Sequence, residues 1–138
     1  VGVFNLELLR LYTYLYQESD KNYSIVHDLG GYDEISLTNT TKIVSNKSEV
    51  LFSAEDLGLK NNTQQAIFGG NTVADASKIF KAIIEGQGTE AQNNVVCANA
   101  GLAIATAKQL THSEGYGLAE EALFSGKANK CLTKLIAL

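Results

Sequence analysis

The chain has 138 residues, 45% of them hydrophobic, enough to bury one sizeable core and too few to argue for two domains. The 11 basic and 15 acidic residues leave a net charge of -4, and no Lys/Arg run forms a patch that would track a phosphate backbone, so a nucleic-acid partner is not expected. The longest uncharged stretch, Ala91 to Ala107, falls short of the roughly 20 apolar residues of a membrane span, and no signal-peptide pattern opens the chain, so a cytoplasmic protein is expected.

Val1 to Phe4 reads as a short β segment, and Asn5 can cap the helix after it by accepting from the orphaned N–H groups of the first turn. In that helix Leu6, Leu9, Tyr12, Leu15 and Tyr16 are expected to face inward. Tyr23 to His27 is a strand of aromatic and β-branched residues that runs into Asp28-Leu29-Gly30-Gly31, where the chain turns. Three short strands are expected next, Glu34 to Leu37, Lys42 to Val44 and Glu49 to Phe52, spaced as an antiparallel meander near a sheet edge. Ala54 to Leu59 suits one helical turn, and Asn61 to Gly70 has no period and reads as a loop.

Beyond Thr72 the chain is helical. Thr72 with Asp75, and Thr89 with Gln92, stand at the spacing of capping boxes, in which each end of the pair satisfies an unpaired backbone N–H of the other. Val73, Ala76, Phe80 and Ile83 form one apolar stripe on a surface helix that Gly86 ends. The helix from Thr89 to about Gln109 is apolar on most faces, Val96, Ala103 and Ile104 included, and should be packed on several sides. Ser113 is expected to cap a helix through Phe124, and after Gly126 a last amphipathic helix carries Leu132, Leu135 and Ile136. The sum is β-α-β, a small meander and four helices. With no Pro, repeat or linker, it is one piece of one domain.

Few residues offer chemistry. Cys97 and Cys131 lack metal-ligand or redox spacing and read as core or half-buried thiols. Gly86-Gln-Gly-Thr-Glu-Ala91 matches a dinucleotide fingerprint in letters only, because it follows a helix where that motif must follow a strand. His27, at a strand end, reads as a hydrogen-bonded structural histidine, and His112, in a polar turn, as solvent-facing. Asn99 is a polar side chain on the most buried helix, read as tying down a backbone group. The informative cluster is Gly30-Gly31-Tyr32-Asp33-Glu34: two adjacent carboxylates after a glycine turn at the end of a hydrophobic strand, where α/β proteins place ligand sites. Magnesium takes hard oxygen donors and is usually held by one or two carboxylates plus substrate phosphates and water. Asp33 and Glu34 suit such an incomplete site, although an acidic pair in a turn is by itself an ordinary solvated loop.

The surroundings of that pair give it another meaning. Ser24-Ile-Val-His-Asp-Leu-Gly-Gly-Tyr-Asp-Glu-Ile-Ser-Leu37 closely resembles the V-V-H-G-x-D-G-x-D-E-I-S stretch of anthranilate phosphoribosyltransferases. Val1-Gly-Val-Phe-Asn-Leu-Glu-Leu-Leu9 resembles the family's segment before it. Phe80-Lys-Ala-Ile-Ile-Glu-Gly-Gln-Gly-Thr89, Asn99-Ala-Gly101 and Ala122-Leu-Phe-Ser-Gly-Lys-Ala128 follow in the family's order, while Lys42 to Gly70 departs most.

The resemblance implies transfer of a phosphoribosyl group from phosphoribosyl pyrophosphate to anthranilate in tryptophan biosynthesis, with Mg2+ required and Asp33 and Glu34 as its ligands. It implies an α/β fold: the C-terminal portion of the large α/β domain of the nucleoside phosphorylase and phosphoribosyltransferase type, a mixed sheet flanked by helices. Residues 1–138 are then one partial domain, without the N-terminal helical domain and the first part of the α/β domain. The missing initiator Met and the opening in what reads as a strand fit that expectation of a fragment. The family's phosphate-cradling and anthranilate-binding elements lie before this segment, so no catalytic or substrate-binding residue is expected here, and the fragment alone should be inactive. A homodimer paired through the N-terminal helical domain is also implied. The competing readings are a pyrimidine-nucleoside phosphorylase of similar fold, which needs no such carboxylate pair, and a noncatalytic nucleic-acid-binding paralogue, which would want a basic face.

Overall fold

The computed structural model describes residues 1–138. Helix α1 (Leu6–Tyr16) starts where Asn5 Oδ1 accepts from the Leu8 N–H at 2.8 Å. Strands β1 (Ser24–Asp28), β2 (Thr41–Ser45) and β3 (Glu49–Phe52) form an antiparallel sheet in the order β1-β2-β3, with Ser24 opposite Ser45 and Thr41 opposite Phe52. Gly2 bridges Val26 in parallel, so the outer side of β1 carries a parallel partner and the sheet is mixed. Two single 3-10 turns, Ala54–Leu57 and Gln64–Ile67, lead to α2 (Val73–Ile84), α3 (Glu90–Lys108), α4 (His112–Phe124) and α5 (Lys127–Ile136).

The sheet is covered on both faces, which is why β1 reads as an unbroken hydrophobic run and not as an alternation. Ile25 and Val44 point to α1 and pack with Val3, Leu9 and Tyr23. Their neighbours Val26 and Ile43 point the other way, into a cluster with Ile35, Leu37, Phe52, Ala54 and Ala98 of α3. A third cluster, Cys97, Ala119 and Leu123, joins α3 to α4.

Several expectations need correction. Glu34 to Leu37 is not a strand: Leu37 sits at φ 56, in the left-handed region, and the backbone of Ile35 is hydrogen-bonded to a side chain of α3. In α1 Leu9 is buried and Tyr12 and Tyr16 are half-buried, but Leu6 and Leu15 are exposed. The α2 stripe is mostly in solvent, with only Ile83 packed against the α3–α4 cluster. Helix α3 is packed on the sheet and on α4, but Val96, Ala100, Ala103 and Ala107 line an open strip. The cap of α4 is Thr111, not Ser113. The Thr111 side chain accepts from the Glu114 N–H, and the Glu114 carboxylate accepts from the Thr111 N–H at 2.8 Å. Thr89 and Gln92 form the expected reciprocal box, whereas Thr72 caps α2 in one direction only, because Asp75 bonds the Thr72 hydroxyl and not its backbone.

Candidate functional site around Asp33 and Glu34

The loop that carries the two carboxylates is built from Asp28, the last residue of β1. Its side chain is completely buried, and Oδ1 accepts from the Gly30 N–H at 2.7 Å while Oδ2 accepts from the Ser36 hydroxyl at 2.5 Å. The Thr41 hydroxyl of β2 approaches the same oxygen at 3.4 Å. The chain reverses at Gly31, whose φ of 101 disfavours any side chain, and the Asp28 N–H then donates to Tyr32 O at 3.0 Å. One buried carboxylate thus ties the turn to a residue just beyond the acidic pair and to the neighbouring strand.

Asp33 and Glu34 are exposed, and neither receives a hydrogen bond or ion pair from the chain. Both line an open concavity of about 610 Å³ between the Val1–Gly2 edge, β1 and α3, where Lys21, Asn22, Ser24 and Thr106 add polar groups. Beneath them the backbones are close: a Cβ on Gly2 would fall 1.7 Å from the Asp33 carbonyl oxygen, so only glycine lets this loop settle. No third acidic, His or Cys side chain joins the pair to complete a protein-only metal cage. The donor set is therefore two free hard-oxygen ligands facing a solvent-open space, which fits a magnesium ion that keeps water and shares phosphate oxygens with a substrate.

The other singled-out residues fall into place around this. The His27 ring is buried, and Nδ1 donates to Val3 O at 2.9 Å, a structural role. Asn99 bonds the backbone of Ile35 and of Val95, as expected of a tying side chain. His112 corrects the expectation of a solvent-facing ring. It is half-buried against Phe52 at a centroid distance of 4.4 Å; Nε2 donates to Ala98 O at 2.8 Å and Nδ1 is buried without a partner. Burial pushes its pKa below the ordinary value, against the opposing pull of the Ala98 carbonyl and Asp56. Cys97 is buried, its thiol pushed up to about 11 by desolvation and secondarily by Glu120, while Cys131 is exposed, contrary to expectation. Gly86 to Thr89 form the helix-to-helix turn between α2 and α3, and Glu90 and Ala91 already belong to α3. Sequence reading missed the work of Asp28; its signal was the Asp-x-Gly spacing of a side-chain turn, with Ser36 and Thr41 as the hydroxyl partners. Nothing in the sequence pointed to the approach of Gly2 to Asp33.

A family model described as "Glycosyl transferase family, a/b domain" matches residues 1–129. The chain is 54% identical over 135 residues to an anthranilate phosphoribosyltransferase of Flavobacterium psychrophilum, covering 98% of this chain and 41% of that protein. It is 47% identical over 139 residues to the Bacteroides fragilis enzyme of the same name, covering 100% and 42%. The crystal structure of anthranilate phosphoribosyltransferase from Thermus thermophilus superposes with a TM-score of 0.87 at 27% identity, over 99% of this chain and 41% of that one. A Saccharomyces cerevisiae anthranilate phosphoribosyltransferase solved in complex with PRPP and Mg shares the fold, with a TM-score of 0.77 at 21% identity over 96% and 38%. The chain spans about two fifths of the length of the curated relatives it matches. From the matched residues and the shared mixed sheet and helices, the chain belongs to the glycosyl transferase family, its residues 1–129 matching the family's α/β domain.

Proposed function

We propose that the protein carrying this chain transfers the phosphoribosyl group of phosphoribosyl pyrophosphate to the amino group of anthranilate, and that Asp33 and Glu34 hold magnesium for that reaction. The identity of 54% over 98% of the chain to an enzyme of that name carries the reading. The presentation of the two unpaired carboxylates at one concavity supports the assignment of the ligands. Loss of pyrophosphate builds negative charge on the leaving group, and magnesium, when bound, supplies the positive charge that offsets it. The chain's own contribution is placement. Asp28 fixes the turn, Gly31 and Gly2 let the loop lie flat against the sheet edge, and Asp33 and Glu34 offer their oxygens without first breaking a protein contact. The same reading puts the enzyme in tryptophan biosynthesis in the cytoplasm, as a homodimer paired through a helical domain that precedes this segment. It is compatible with the absence of any helix long and apolar enough to cross a membrane.

The test is turnover of anthranilate and phosphoribosyl pyrophosphate by the full-length polypeptide that carries this chain, followed by loss of anthranilate fluorescence across a magnesium series. Replacing Asp33 and Glu34 together by Ala is expected to lower turnover by at least about 100-fold, the scale of losing several kcal/mol of charge stabilisation, with a raised magnesium requirement. An inactive wild type removes the activity; a double variant with the wild-type magnesium response removes the ligand assignment.

A further inference from the structure

The Ile35 backbone, one residue beyond Glu34, is held in an unusual way. Its N–H donates to Asn99 Oδ1 at 2.9 Å and its carbonyl accepts from Asn99 Nδ2 at 2.8 Å, so one carboxamide of α3 imitates a neighbouring strand for a single residue. The second hydrogen of Nδ2 goes to Val95 O at 2.9 Å, one turn earlier on α3, which leaves the amide no freedom to rotate. The Ile35 side chain is completely buried in the cluster between sheet and helix. On the other side of Glu34, the peptide of Asp33 rests on Gly2. The two residues flanking Glu34 are thus each held by a different segment of the chain, while the carboxylates themselves remain free. Asn99 also lines the same concavity as Asp33 and Glu34.

We propose that Asn99 is a positioning residue for the metal pair: its carboxamide sets the backbone at Ile35 so that Asp33 and Glu34 face one ion together. The inference rests on the reading of that pair as magnesium ligands. Groups that orient metal ligands matter because two carboxylates on an unpinned loop lose affinity to the entropy of bringing them together. A purely architectural Asn99 would stabilise the protein without setting metal affinity, and the two roles separate experimentally.

In the full-length polypeptide, Asn99→Ala, Asn99→Asp and the Asp33→Ala/Glu34→Ala double variant are compared with wild type by two measurements. One is hydrogen exchange of the Ile35 amide. The other is protein-bound Mn2+ in the presence of phosphoribosyl pyrophosphate, read by enhancement of water-proton relaxation. Asn99→Ala is expected to expose the Ile35 amide and weaken Mn2+ binding by about 10- to 100-fold, the usual loss when a group orienting a metal ligand is removed. The KM for anthranilate should not change. Asn99→Asp, which still accepts from the Ile35 N–H but cannot donate, should fall between, and it carries the comparison if the Ala variant does not fold. An Asn99→Ala protein with an exposed Ile35 amide but wild-type Mn2+ affinity overturns the inference and leaves the metal pair standing. Unchanged Ile35 protection overturns it as well. Wild-type Mn2+ binding by the double variant removes the metal pair, and the inference with it.

Discussion

The carboxylate of Asp28 lies wholly inside the protein, where a backbone N–H and two hydroxyls aim at it, whereas the carboxylate of Asp33, at the far side of the same loop, is exposed and has no hydrogen-bond partner in the chain. Burying a carboxylate is costly unless its oxygens are hydrogen-bonded, so Asp28 is committed to the shape of the loop, while the Asp33 carboxylate carries no such contact. His112 makes a pH dependence of its own. Burial lowers its pKa below 6.5 in the folded state, so between the folded value and 6.5 the unfolded chain binds more protons. Its contribution is therefore complete above 6.5 and is lost as pH falls through the folded value. The denaturation midpoint of the wild type should drop more steeply from about pH 7 to about pH 5 than that of His112→Gln, whose amide can still donate to the Ala98 carbonyl; parallel profiles would show that His112 does not set the slope. At this scale the sequence spoke for Asp33 and Glu34, through their local pattern. It misplaced His112 as solvent-facing and Cys131 as at least half-buried, because exposure depends on which distant elements come to lie over a residue.

Helices α3 and α4 cross at two glycines. A Cβ on Gly115 would lie 2.1 Å from the Gly101 carbonyl oxygen and 3.0 Å from Ala105 Cβ, and one on Gly101 would meet the Tyr116 backbone at 2.6 Å. The backbone of each helix occupies the space of the other's missing side chain, as close approach requires. Gly115→Ala, although it raises intrinsic helix propensity by roughly 1 kcal/mol, should destabilise the protein by about 1–3 kcal/mol through overpacking, measured as a lowered denaturant midpoint. A midpoint at or above wild type would show that the helices part without cost. The same competition between local preference and tertiary contact explains the missing strand. Glu34-Ile-Ser-Leu alternates like a strand, yet Asn99 takes both backbone groups of Ile35 and Leu37 turns left-handed. The cap of α4 was misread for a smaller reason. Thr111 and Glu114 satisfy the box spacing as well as any local rule could ask, and Ser113 only sits inside their first turn.

On the scale of the molecule, large apolar side chains remain in solvent: Phe4 is 67% exposed, Leu15 68% and Leu51 66%. Val1 to Val3 pair with β1 on one side only, through Val3 N–H to Val26 O and Val26 N–H to Val1 O. Exposed apolar patches and unpaired strand edges favour association. The 138-residue polypeptide produced by itself should therefore bind a hydrophobic dye, elute larger than a monomer, and turn over no anthranilate. A monomer with no dye binding would show these surfaces to be innocuous, and turnover by the isolated chain would place the whole active site within it.

What the sequence determined by itself is whatever depends on neighbours a few residues away: the helices and most of their caps, the hydrophobic strand, the glycine turn, and the acidic pair that follows it in a recognisable order. Those signals are periodicity, capping geometry and turn chemistry, and each is written in contiguous residues. Only the tertiary structure decided that Ile35 is held by Asn99, that Gly2 lies under Asp33, that Gly101 meets Gly115, and that His112 is turned inward. Each of these joins segments far apart in the chain, where hydrogen-bond satisfaction and close packing override what either segment prefers alone.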